Sequence, residues 1–411
     1  MKALVRFALI NAIAALLAGC GGSQLPTGAP GVMTQSRAST GYTVLHSFGK
    51  RYSGGQEPKA ALIDVNGTLY GTTFAGGSTA CVGGCGVVFK ITPFGKETTL
   101  YRFGSGNDGA NPSASLLAVK GVLYGTTEYG GIPSYGGCNA GTVFSVSTRG
   151  VEKVVYRFYG YYCHDIVYND GGNPVASLID VSGNLYGTTS SGGSGEFYGT
   201  AFEVSTSGTE QVLFSFGYAS GANPVAGLAD VAGTLYGTTE QGGAYTDSSG
   251  TCCGVAFSLS TTGTEKVLDD FVPGPNGASP TASLIDVKGN LYGTTVGSGA
   301  DYGGTAFSIT TNGSLTLLHS FGSGTDGSSP WAPLLDVKGT LYGTTSAGGT
   351  YGKGTIFSMS LTGDEKVLHS FGYQFDGATP LAGLVDVKGT LYGTTSAGGS
   401  YGNGTVFALR L

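Results

Sequence analysis

The chain has 411 residues, of which 40% are hydrophobic and only 11% are charged. Soluble domains usually carry about 25% charged residues, and 76 glycines favour short strands and tight turns over helices. The net charge of −6, with no Lys/Arg cluster in the body of the chain, excludes the electrostatic pattern of a nucleic-acid-binding protein.

The first twenty residues, MKALVRFALINAIAALLAGC, have the layout of an export signal. Lys2 and Arg6 are followed by an apolar run up to Leu17 and then by small residues. The segment Leu17–Cys20 resembles the lipobox of bacterial lipoproteins. This resemblance implies cleavage before Cys20 and lipid attachment to that residue, with an ordinary secreted protein as the alternative. Gly21, rather than Asp, after the cysteine favours the outer membrane.

Residues 21–41 are polar and rich in Gly, Ser and Pro, which is typical of a flexible tether. A flexible chain of that length spans roughly 25 Å, enough to hold a domain clear of a bilayer. The sequence therefore predicts a signal peptide over 1–20, a tether over 21–41 and one repeat domain over 42–411.

The rest of the chain repeats a phrase that contains LYGTT. Its copies begin at Leu69, Leu123, Leu185, Leu235, Leu291, Leu341 and Leu391. The intervals are 54, 62, 50, 56, 50 and 50 residues. Repeats of about this length with four strand signals each indicate the blades of a β-propeller, in which one closed array forms a single domain.

The fifth unit illustrates the four predicted strands, which are Ser283–Val287, Asn290–Thr295, Thr305–Thr310 and Leu315–Phe321. Two short Gly-containing turns join the first to the second and the third to the fourth. Phe recurs in the third and fourth strands of every unit, which predicts apolar filling between neighbouring sheets. The Gly of LYGTT predicts a place where another backbone approaches closely near the hub.

The two ends of the repeat domain complement each other. The domain starts with a lone fourth strand, Tyr42–Phe48, and stops after a third strand, Gly404–Leu411. Pairing of these segments would close the ring and leave no open edge. We therefore predict an all-β fold, a seven-bladed propeller of four-stranded blades closed by the N-terminal strand.

The LYGTT…GG…GTVF units over Tyr42–Leu411 resemble the Gloeo/Verruco (GloVer) tandem repeat of bacterial surface proteins. That resemblance implies an exported, surface-attached, propeller-like repeat protein. It implies no particular activity, ligand or catalytic residue.

All long inserts fall in the loops between second and third strands or between one blade and the next, so they share one face of the ring. We expect this face to carry whatever is bound, because binding residues concentrate on loops held by a rigid scaffold. The same loops hold six cysteines, which export would allow to pair. The candidate disulfide residues are Cys81, Cys85, Cys138, Cys163, Cys252 and Cys253. A zinc site at Cys81 and Cys85 is the disfavoured alternative, since no second ligand pair lies near it.

The segment YGYYCHDIVYN, residues 159–169, is the most distinctive insert. Its aromatic and polar side chains predict a recognition patch for a glycan or peptide, although they could also pack onto their own blade. The candidate ligand-binding residues are Tyr159, Tyr161, Tyr162, His164, Asp165 and Tyr168.

Two recurring acidic positions and one recurring histidine position have structural interpretations. The first-strand aspartates suggest either cation binding or hydrogen bonds to the turn backbone two residues on, and we favour the turn. These aspartates are Asp64, Asp180, Asp230, Asp286, Asp336 and Asp386. The aspartates of the DG-x-x-P loops are interpreted as turn residues in the same way; they are Asp108, Asp170, Asp326 and Asp376. His46, His319 and His369 occupy outer strands of different blades and so cannot converge.

The sequence thus predicts a surface-anchored, monomeric, non-catalytic propeller that acts as a binding or scaffold module for a glycan or a protein and contacts the membrane through Cys20. A purely structural role in surface display is a further alternative. We expect no catalytic residue, metal or cofactor, with Ca²⁺ as the one cofactor alternative. The functional alternative is a propeller enzyme that acts on polysaccharide or lactone substrates. Acidic side chains that converge near the axis on the insert-bearing face would favour the enzyme.

Overall fold

The computed structural model describes residues 41–49, 54–104, 107–131, 139–160, 162–163, 166–245 and 252–411. These residues form seven four-stranded antiparallel sheets, as expected for a seven-bladed propeller. The signal peptide, Cys20 and almost all of the predicted tether lie outside the described residues.

Within the described ranges, no helix has the length and apolar character needed to cross a membrane.

Each blade has a short inner strand and an outer strand, and in six blades the four strands follow the order of the sequence from inside to outside. The inner strands are Ile63–Val65, Leu117–Val119, Ile179–Val181, Ala229–Val231, Ile285–Val287, Leu335–Val337 and Val385–Val387. The second strands are Thr68–Thr73, Val122–Thr127, Asn184–Thr189, Thr234–Thr238, Asn290–Thr295, Thr340–Thr345 and Thr390–Thr395. The third strands are Val87–Ile91, Thr142–Ser147, Thr200–Ser205, Val255–Ser260, Thr305–Thr310, Thr355–Ser360 and Thr405–Arg410. The outer strands are Glu97–Arg102, Glu152–Arg157, Glu210–Ser215, Glu265–Asp270, Leu315–Ser320, Glu365–Ser370 and, for blade 7, Tyr42–Ser47.

The inner strand is shorter than predicted, because a backbone group before it bonds to the next blade instead of its own. In blade 4, the backbone N–H of Gly227 donates a hydrogen bond to Ser283 Oγ of blade 5 at 2.9 Å. The loops also form two-stranded ribbons that the sequence did not predict. These ribbons pair Gly55–Gln56 with Ala75–Gly76, Tyr162–Cys163 with Ile166–Val167, Gly327–Ser328 with Ala347–Gly348, and Gly377–Ala378 with Ala397–Gly398. One 3₁₀ turn, Tyr218–Ser220, completes the elements of the described chain.

The LYGTT phrase acts through its last three residues. The first Thr donates a hydrogen bond to a carbonyl of the next blade, as Thr344 Oγ1 does to Ala382 O at 3.0 Å. At the ring closure, Thr394 Oγ1 donates to Ala60 O at 3.1 Å. The second Thr bonds within its own blade, as Thr345 Oγ1 does with Thr355 Oγ1 at 2.8 Å. The phrase recurs because every blade must dock on a neighbour.

The recurring Phe residues fill the space between blades, as predicted. Each Phe that follows an outer strand lies against the third-strand Phe of the next blade, with ring centroids about 5 Å apart, a favourable distance for an aromatic pair. The pairs are Phe48–Phe89, Phe103–Phe144, Phe158–Phe202, Phe216–Phe257, Phe271–Phe307, Phe321–Phe357 and Phe371–Phe407. All of these rings are buried.

The prediction for the Gly of LYGTT was wrong about what approaches it. Gly343 pairs with Phe357 in the sheet, and a Cβ at Gly343 would lie 2.4 Å from the Phe357 ring. A core aromatic side chain of the same blade therefore requires the Gly, and not the backbone of another strand. The Gly leaves the space that lets each Phe ring lie over its own sheet.

The ring closes at blade 7, as predicted from the chain ends. Tyr42–Ser47 pairs antiparallel with Thr405–Arg410, with Val44 opposite Phe407. Phe48 N–H continues the pairing with a hydrogen bond to Gly404 O at 3.0 Å. At the start of this strand, Arg410 N–H donates to Gly41 O at 3.1 Å. Leu411 N–H donates to Gly389 O, in the short turn of the same blade, at 3.0 Å. Gly41 therefore lies on the face that carries the short turns, which we name the turn face.

Candidate ligand-binding face

The opposite face, which we name the insert face, carries the longer loops and surrounds the propeller axis. In each blade the chain reaches the inner strand through a Pro-x-Ala segment, such as Pro330–Ala332. Segments from all seven blades line one cavity of about 120 Å³ on the axis. The Pro and Ala residues are buried, whereas six of the seven middle residues are partly or largely exposed. The seven middle side chains therefore surround the opening of this cavity, which we name the axial mouth.

The middle residues differ from blade to blade, although their backbone positions are equivalent. They are Lys59, Ser113, Val175, Val225, Thr281, Trp331 and Leu381. Trp331 is the only Trp in the chain and is 40% exposed. This set was not predicted from the sequence, although a lone Trp at a variable position of a strict repeat is a signal that could have indicated it. Variation where the fold requires no particular side chain is typical of a binding surface.

One of the seven middle residues holds a polar atom that the fold leaves unused. Thr281 is buried, and its Oγ1 has no hydrogen-bond partner. A buried hydroxyl without a partner is unfavourable unless water or a ligand group bonds to it. The atom is therefore a polar group beside the axial cavity whose hydrogen-bonding capacity the described residues leave unused.

The electrostatic character of the mouth is close to neutral. Among the described residues that line the cavity, Lys59 is the only charged one, and its ammonium lies 3.3 Å from the centroid of the Phe74 ring. Glu128 and Glu240 follow the LYGTT phrases of their blades, outside this lining. Burial raises the pKa of Glu240, which accepts a hydrogen bond from Asn223 Nδ2 at 2.5 Å. Carboxylates do not converge in the described lining, so it offers no acid–base pair.

Exposed aromatic side chains concentrate on the same face. Those on the insert face are Tyr129, Tyr245, Tyr302, Trp331, Tyr351, Phe375 and Tyr401. Within the described ranges the turn face has one counterpart, Phe94. Tyr302, Tyr351 and Tyr401 lie in corresponding loops of three consecutive blades. Exposed aromatics on one face of a ring are suited to flat, partly apolar ligands.

The predicted patch at residues 159–169 is only partly described. The rings of Tyr159 and Tyr168 stack, with centroids 4.4 Å apart and planes 14° apart. Both residues are half-buried, and Tyr159 N–H donates to Asp170 Oδ2 at 2.9 Å. Tyr161, His164, Asp165 and the side chain of Tyr162 lie outside the described residues. The recognition patch therefore stays a prediction.

Two disulfides lie in loops of the insert face. Cys81 is bonded to Cys85, with an S–S distance of 2.01 Å, in the loop between the second and third strands of blade 1. Cys252 is bonded to Cys253 in the corresponding loop of blade 4. Cys138 and the side chain of Cys163 lie outside the described residues. The two bridges close short stretches of the loops that the cysteines were predicted to constrain.

The first-strand aspartates accept hydrogen bonds from their turns, but not at the predicted spacing. Asp286 Oδ1 accepts from Gly289 N–H at 2.8 Å, three residues on instead of two. The same bond forms at Asp64, Asp180, Asp230, Asp336 and Asp386. The bond spans three residues because the turn has two residues in the left-handed conformation, Lys288 and Gly289 in blade 5, and the second of them donates. These carboxylates lie on the turn face, away from the axial cavity.

The aspartates of the DG-x-x-P loops do more than form turns. Each accepts a hydrogen bond from a Tyr or pairs with a His on the preceding outer strand, as His319 Nε2 does with Asp326 Oδ2 at 3.0 Å. The other pairs are Tyr101–Asp108 at 2.6 Å, Tyr156–Asp170 at 2.9 Å and His369–Asp376 at 2.9 Å. The prediction was incomplete because these partners become neighbours only when the loop folds back on its outer strand.

A glutamate at the start of the next outer strand joins several of these groups, which we name the interblade clusters. Burial, the largest cause, raises to about 7 the pKa of four glutamates at the start of outer strands, three of them in these clusters. They are Glu152, Glu210, Glu265 and Glu365. Repulsion from the neighbouring Asp adds to the effect at Glu152, Glu210 and Glu365. The clusters lie at the rim of the ring, so they do not contribute to the axial mouth.

Comparisons with solved structures return other proteins at low identity. The chain is similar to a gluconolactonase from Xanthomonas campestris, with 14% identity over 66% of this chain and 78% of that one and a TM-score of 0.39. It is similar to the Trypanosoma rangeli sialidase in complex with sialic acid, with 12% identity, coverage of 90% and 59%, and a TM-score of 0.45. It is also similar to a Mycobacterium tuberculosis puromycin-hydrolyzing peptidase, with 11% identity, coverage of 85% and 52%, and a TM-score of 0.49. These likenesses say nothing about activity.

No curated protein matches the sequence. The family model of the Gloeobacter/Verrucomicrobia repeat matches residues 21–166 and 245–411, most of the chain. The repeated LYGTT units, which dock each blade on the next, lie largely within these two regions. The chain therefore belongs to the Gloeobacter/Verrucomicrobia repeat family.

Proposed function

We propose that this protein is an exported, lipid-anchored binding propeller that holds a neutral glycan over the axial mouth of its insert face. The observation that carries the proposal is the set of seven variable middle residues of the Pro-x-Ala segments, with Trp331 exposed among them. A fixed ring of backbone that presents variable side chains is suited to recognition.

The chemistry of the mouth favours a glycan over a charged ligand. The described lining holds one charged side chain, Lys59, and its ammonium already contacts the Phe74 ring. Trp331 offers a flat apolar surface to the face of a sugar ring, and the unpartnered Thr281 Oγ1 offers a hydrogen bond to a sugar hydroxyl. A protein ligand is the alternative that the experiment below distinguishes.

The same lining argues against the alternative of an enzyme on polysaccharides or lactones. Glycoside hydrolysis usually needs two carboxyl groups on either side of the scissile bond. The described residues at the axial cavity include no Asp or Glu. Binding without catalysis is therefore the function we propose.

The start of the described chain lies away from the mouth. The described chain begins at Gly41 on the turn face, where Arg410 N–H bonds to Gly41 O. The entry of the chain into the domain therefore does not obstruct the mouth. We propose a location at the bacterial outer membrane or cell surface, with a lipid anchor at Cys20.

Binding is tested on a glycan array and by pull-down of proteins, with Trp331→Ala and Phe94→Ala as matched variants. Both residues are exposed aromatics, but Phe94 lies on the turn face. We expect Trp331→Ala to lower the affinity for the bound glycan by at least about tenfold, which corresponds to roughly 1.4 kcal/mol, and Phe94→Ala to leave it unchanged. Equal loss in both variants, or capture of proteins with no glycan bound, contradicts the proposal.

The anchor is tested separately by feeding cells a labelled fatty acid. The wild-type protein should incorporate the label and sediment with membranes. Cys20→Ser should carry no label. Label retained in Cys20→Ser would show that another residue carries the lipid.

A further inference from the structure

The interblade cluster between blades 5 and 6 differs from all other described clusters in its side chains. His319 lies on the outer strand of blade 5, Asp326 on the loop that leaves that strand, and Glu365 at the start of the outer strand of blade 6. One nitrogen and two carboxylate groups from three separate segments therefore meet at one point. Their nearest ligand atoms lie within 4.8 Å of one another.

The positions of His319 and Asp326 are fixed by the fold. His319 Nε2 lies 3.0 Å from Asp326 Oδ2, and the imidazole packs edge-on to Phe321 with ring centroids 4.7 Å apart. Asp326 Oδ1 accepts a hydrogen bond from Gly327 N–H at 2.6 Å. Only 23% of the His319 side chain and 11% of the Asp326 side chain are exposed. The first two groups are thus held in place before anything binds.

The third group has an unused oxygen. Glu365 Oε1 is buried and has no hydrogen-bond partner. Among the described residues, the charged groups that act on its carboxyl are the Asp326 carboxylate and His319. By contrast, Arg157 acts on the corresponding Glu152. Two carboxyl groups and one imidazole that face one another leave a place for a cation.

The other described clusters lack one of the three groups. Tyr101 and Tyr156 take the place of the His beside Asp108 and Asp170, so the nitrogen is missing there. At the junction of blades 6 and 7, His369 and Asp376 are present. There Tyr42 stands in place of the Glu and stacks on the imidazole at 3.7 Å. The other junctions pack without a His, an Asp and a Glu together, so the packing of the blades does not require these three groups between blades 5 and 6.

We propose that His319, Asp326 and Glu365 bind one Zn²⁺ ion that joins blade 5 to blade 6. Imidazole and carboxylate ligands suit Zn²⁺, and a nitrogen ligand disfavours Ca²⁺, which prefers oxygen alone. Bonds of about 2.0–2.2 Å place tetrahedral ligand atoms roughly 3.4 Å apart, so a rotamer adjustment of Glu365 brings its free oxygen into range. Water completes the fourth position. This site is separate from the axial mouth and does not depend on the proposed glycan binding.

The test measures Zn²⁺ bound to purified full-length protein by equilibrium dialysis and metal analysis, after EDTA treatment and alkylation of free thiols. We expect one Zn²⁺ per wild-type chain and none in His319→Tyr, which copies the natural Tyr101 and Tyr156 arrangement and so should fold. His369→Gln, which removes a histidine with an Asp but no Glu beside it, should keep one Zn²⁺. Wild-type protein that binds none, or His319→Tyr that binds like wild type, overturns the proposal.

A gain-of-function variant and a thermal readout complete the experiment. Tyr156→His places an imidazole beside Asp170 and Glu210 and should add a second Zn²⁺ per chain. Because an ion that binds only the folded state stabilises it by an amount that grows with the logarithm of concentration over Kd, Zn²⁺ should raise the Tm of wild type and leave the Tm of His319→Tyr unchanged. Equal Zn²⁺-dependent shifts in wild type and His319→Tyr would also overturn the proposal.

Discussion

The turn face and the insert face are built from the same seven repeats, but they keep different residues constant. On the turn face, an Asp accepts a hydrogen bond from the amide of a turn Gly in six blades. Blade 2 has Ala118 in place of the Asp. On the insert face, Pro and Ala recur at the axis while the residue between them changes in kind from Lys59 to Trp331. Residues that form the hydrogen bonds and buried contacts of the ring are repeated, and residues without such contacts vary from blade to blade. The variable set is where a specific function can reside.

The largest expected effect comes from breaking a constant position in the core. Phe357→Ala should lower the free energy of unfolding by about 3–5 kcal/mol, because the ring is fully buried against Phe321 and its loss leaves a cavity. Phe375→Ala is the matched control, since that ring is 67% exposed on the insert face, and should change stability by less than about 0.5 kcal/mol. Urea denaturation measures both. Similar losses in the two variants would contradict the distinction between constant and variable positions.

Buried glutamates at the start of outer strands should make stability depend on pH. Burial raises the pKa of Glu210 and Glu265 to about 7, so the folded state keeps protons that the unfolded state has lost above pH 4.5. The stabilisation is present at low pH and is lost as the pH rises through about 7, so Tm should be higher at pH 5.5 than at pH 8.0.

Glu210→Gln and Glu265→Gln test this prediction by thermal unfolding across the same pH range. Each amide side chain cannot ionise, so the difference in Tm between the two pH values should shrink. Lys266→Gln, at an exposed position beside Glu265, is the control and should leave the pH dependence unchanged. A Tm that rises from pH 5.5 to pH 8.0 would refute the assignment.

A smaller effect is expected at a turn. Asp286→Ala removes the acceptor of the Gly289 amide and should cost about 1 kcal/mol in the free energy of unfolding. Asp301→Ala, at an exposed position in an insert-face loop, should stay within about 0.5 kcal/mol of wild type. Chemical denaturation of both variants checks this, and an equal cost at Asp301 would show that the turn bond is not the cause.

The smallest effect on stability is expected at the axial mouth. Trp331→Ala should change the free energy of unfolding by less than about 0.5 kcal/mol, because the side chain is partly exposed and the flanking Pro330 and Ala332 fix the backbone. Circular dichroism during thermal unfolding measures it. A Trp331→Ala variant as unstable as Phe357→Ala would make Trp331 a framework residue and remove it from the proposed site.

Much of the framework could be predicted from the sequence because it repeats. The positions of LYGTT, the paired Phe residues and the complementary ends follow from counting, and a strict period leaves little freedom in how the blades stack. The length of the inner strand could not be predicted, since the backbone N–H of Gly227 bonds to Ser283 of blade 5 instead of to its own second strand. Hydrogen bonds between blades are not visible in the pattern of a single repeat.

The site was harder to predict, for a related reason. His319 was compared with His46 and His369, its counterparts at the same repeat position, and these do indeed lie on separate blades. Its actual neighbours, Asp326 and Glu365, come from a loop and from the next blade, so only the docked ring brings them together. The middle residues of the Pro-x-Ala segments also converge only when all seven blades close.

The strand that closes the ring also determines how the molecule responds to a mechanical load. Tyr42–Ser47 runs from the turn face towards the insert face, alongside Thr405–Arg410. A pull applied at Gly41 against a ligand held at the opposite mouth acts along this strand, in shear. Shear loads the backbone hydrogen bonds of the pair together, whereas peeling would break them one at a time. A chain fastened at this end can therefore resist pulling without a covalent link between its two termini.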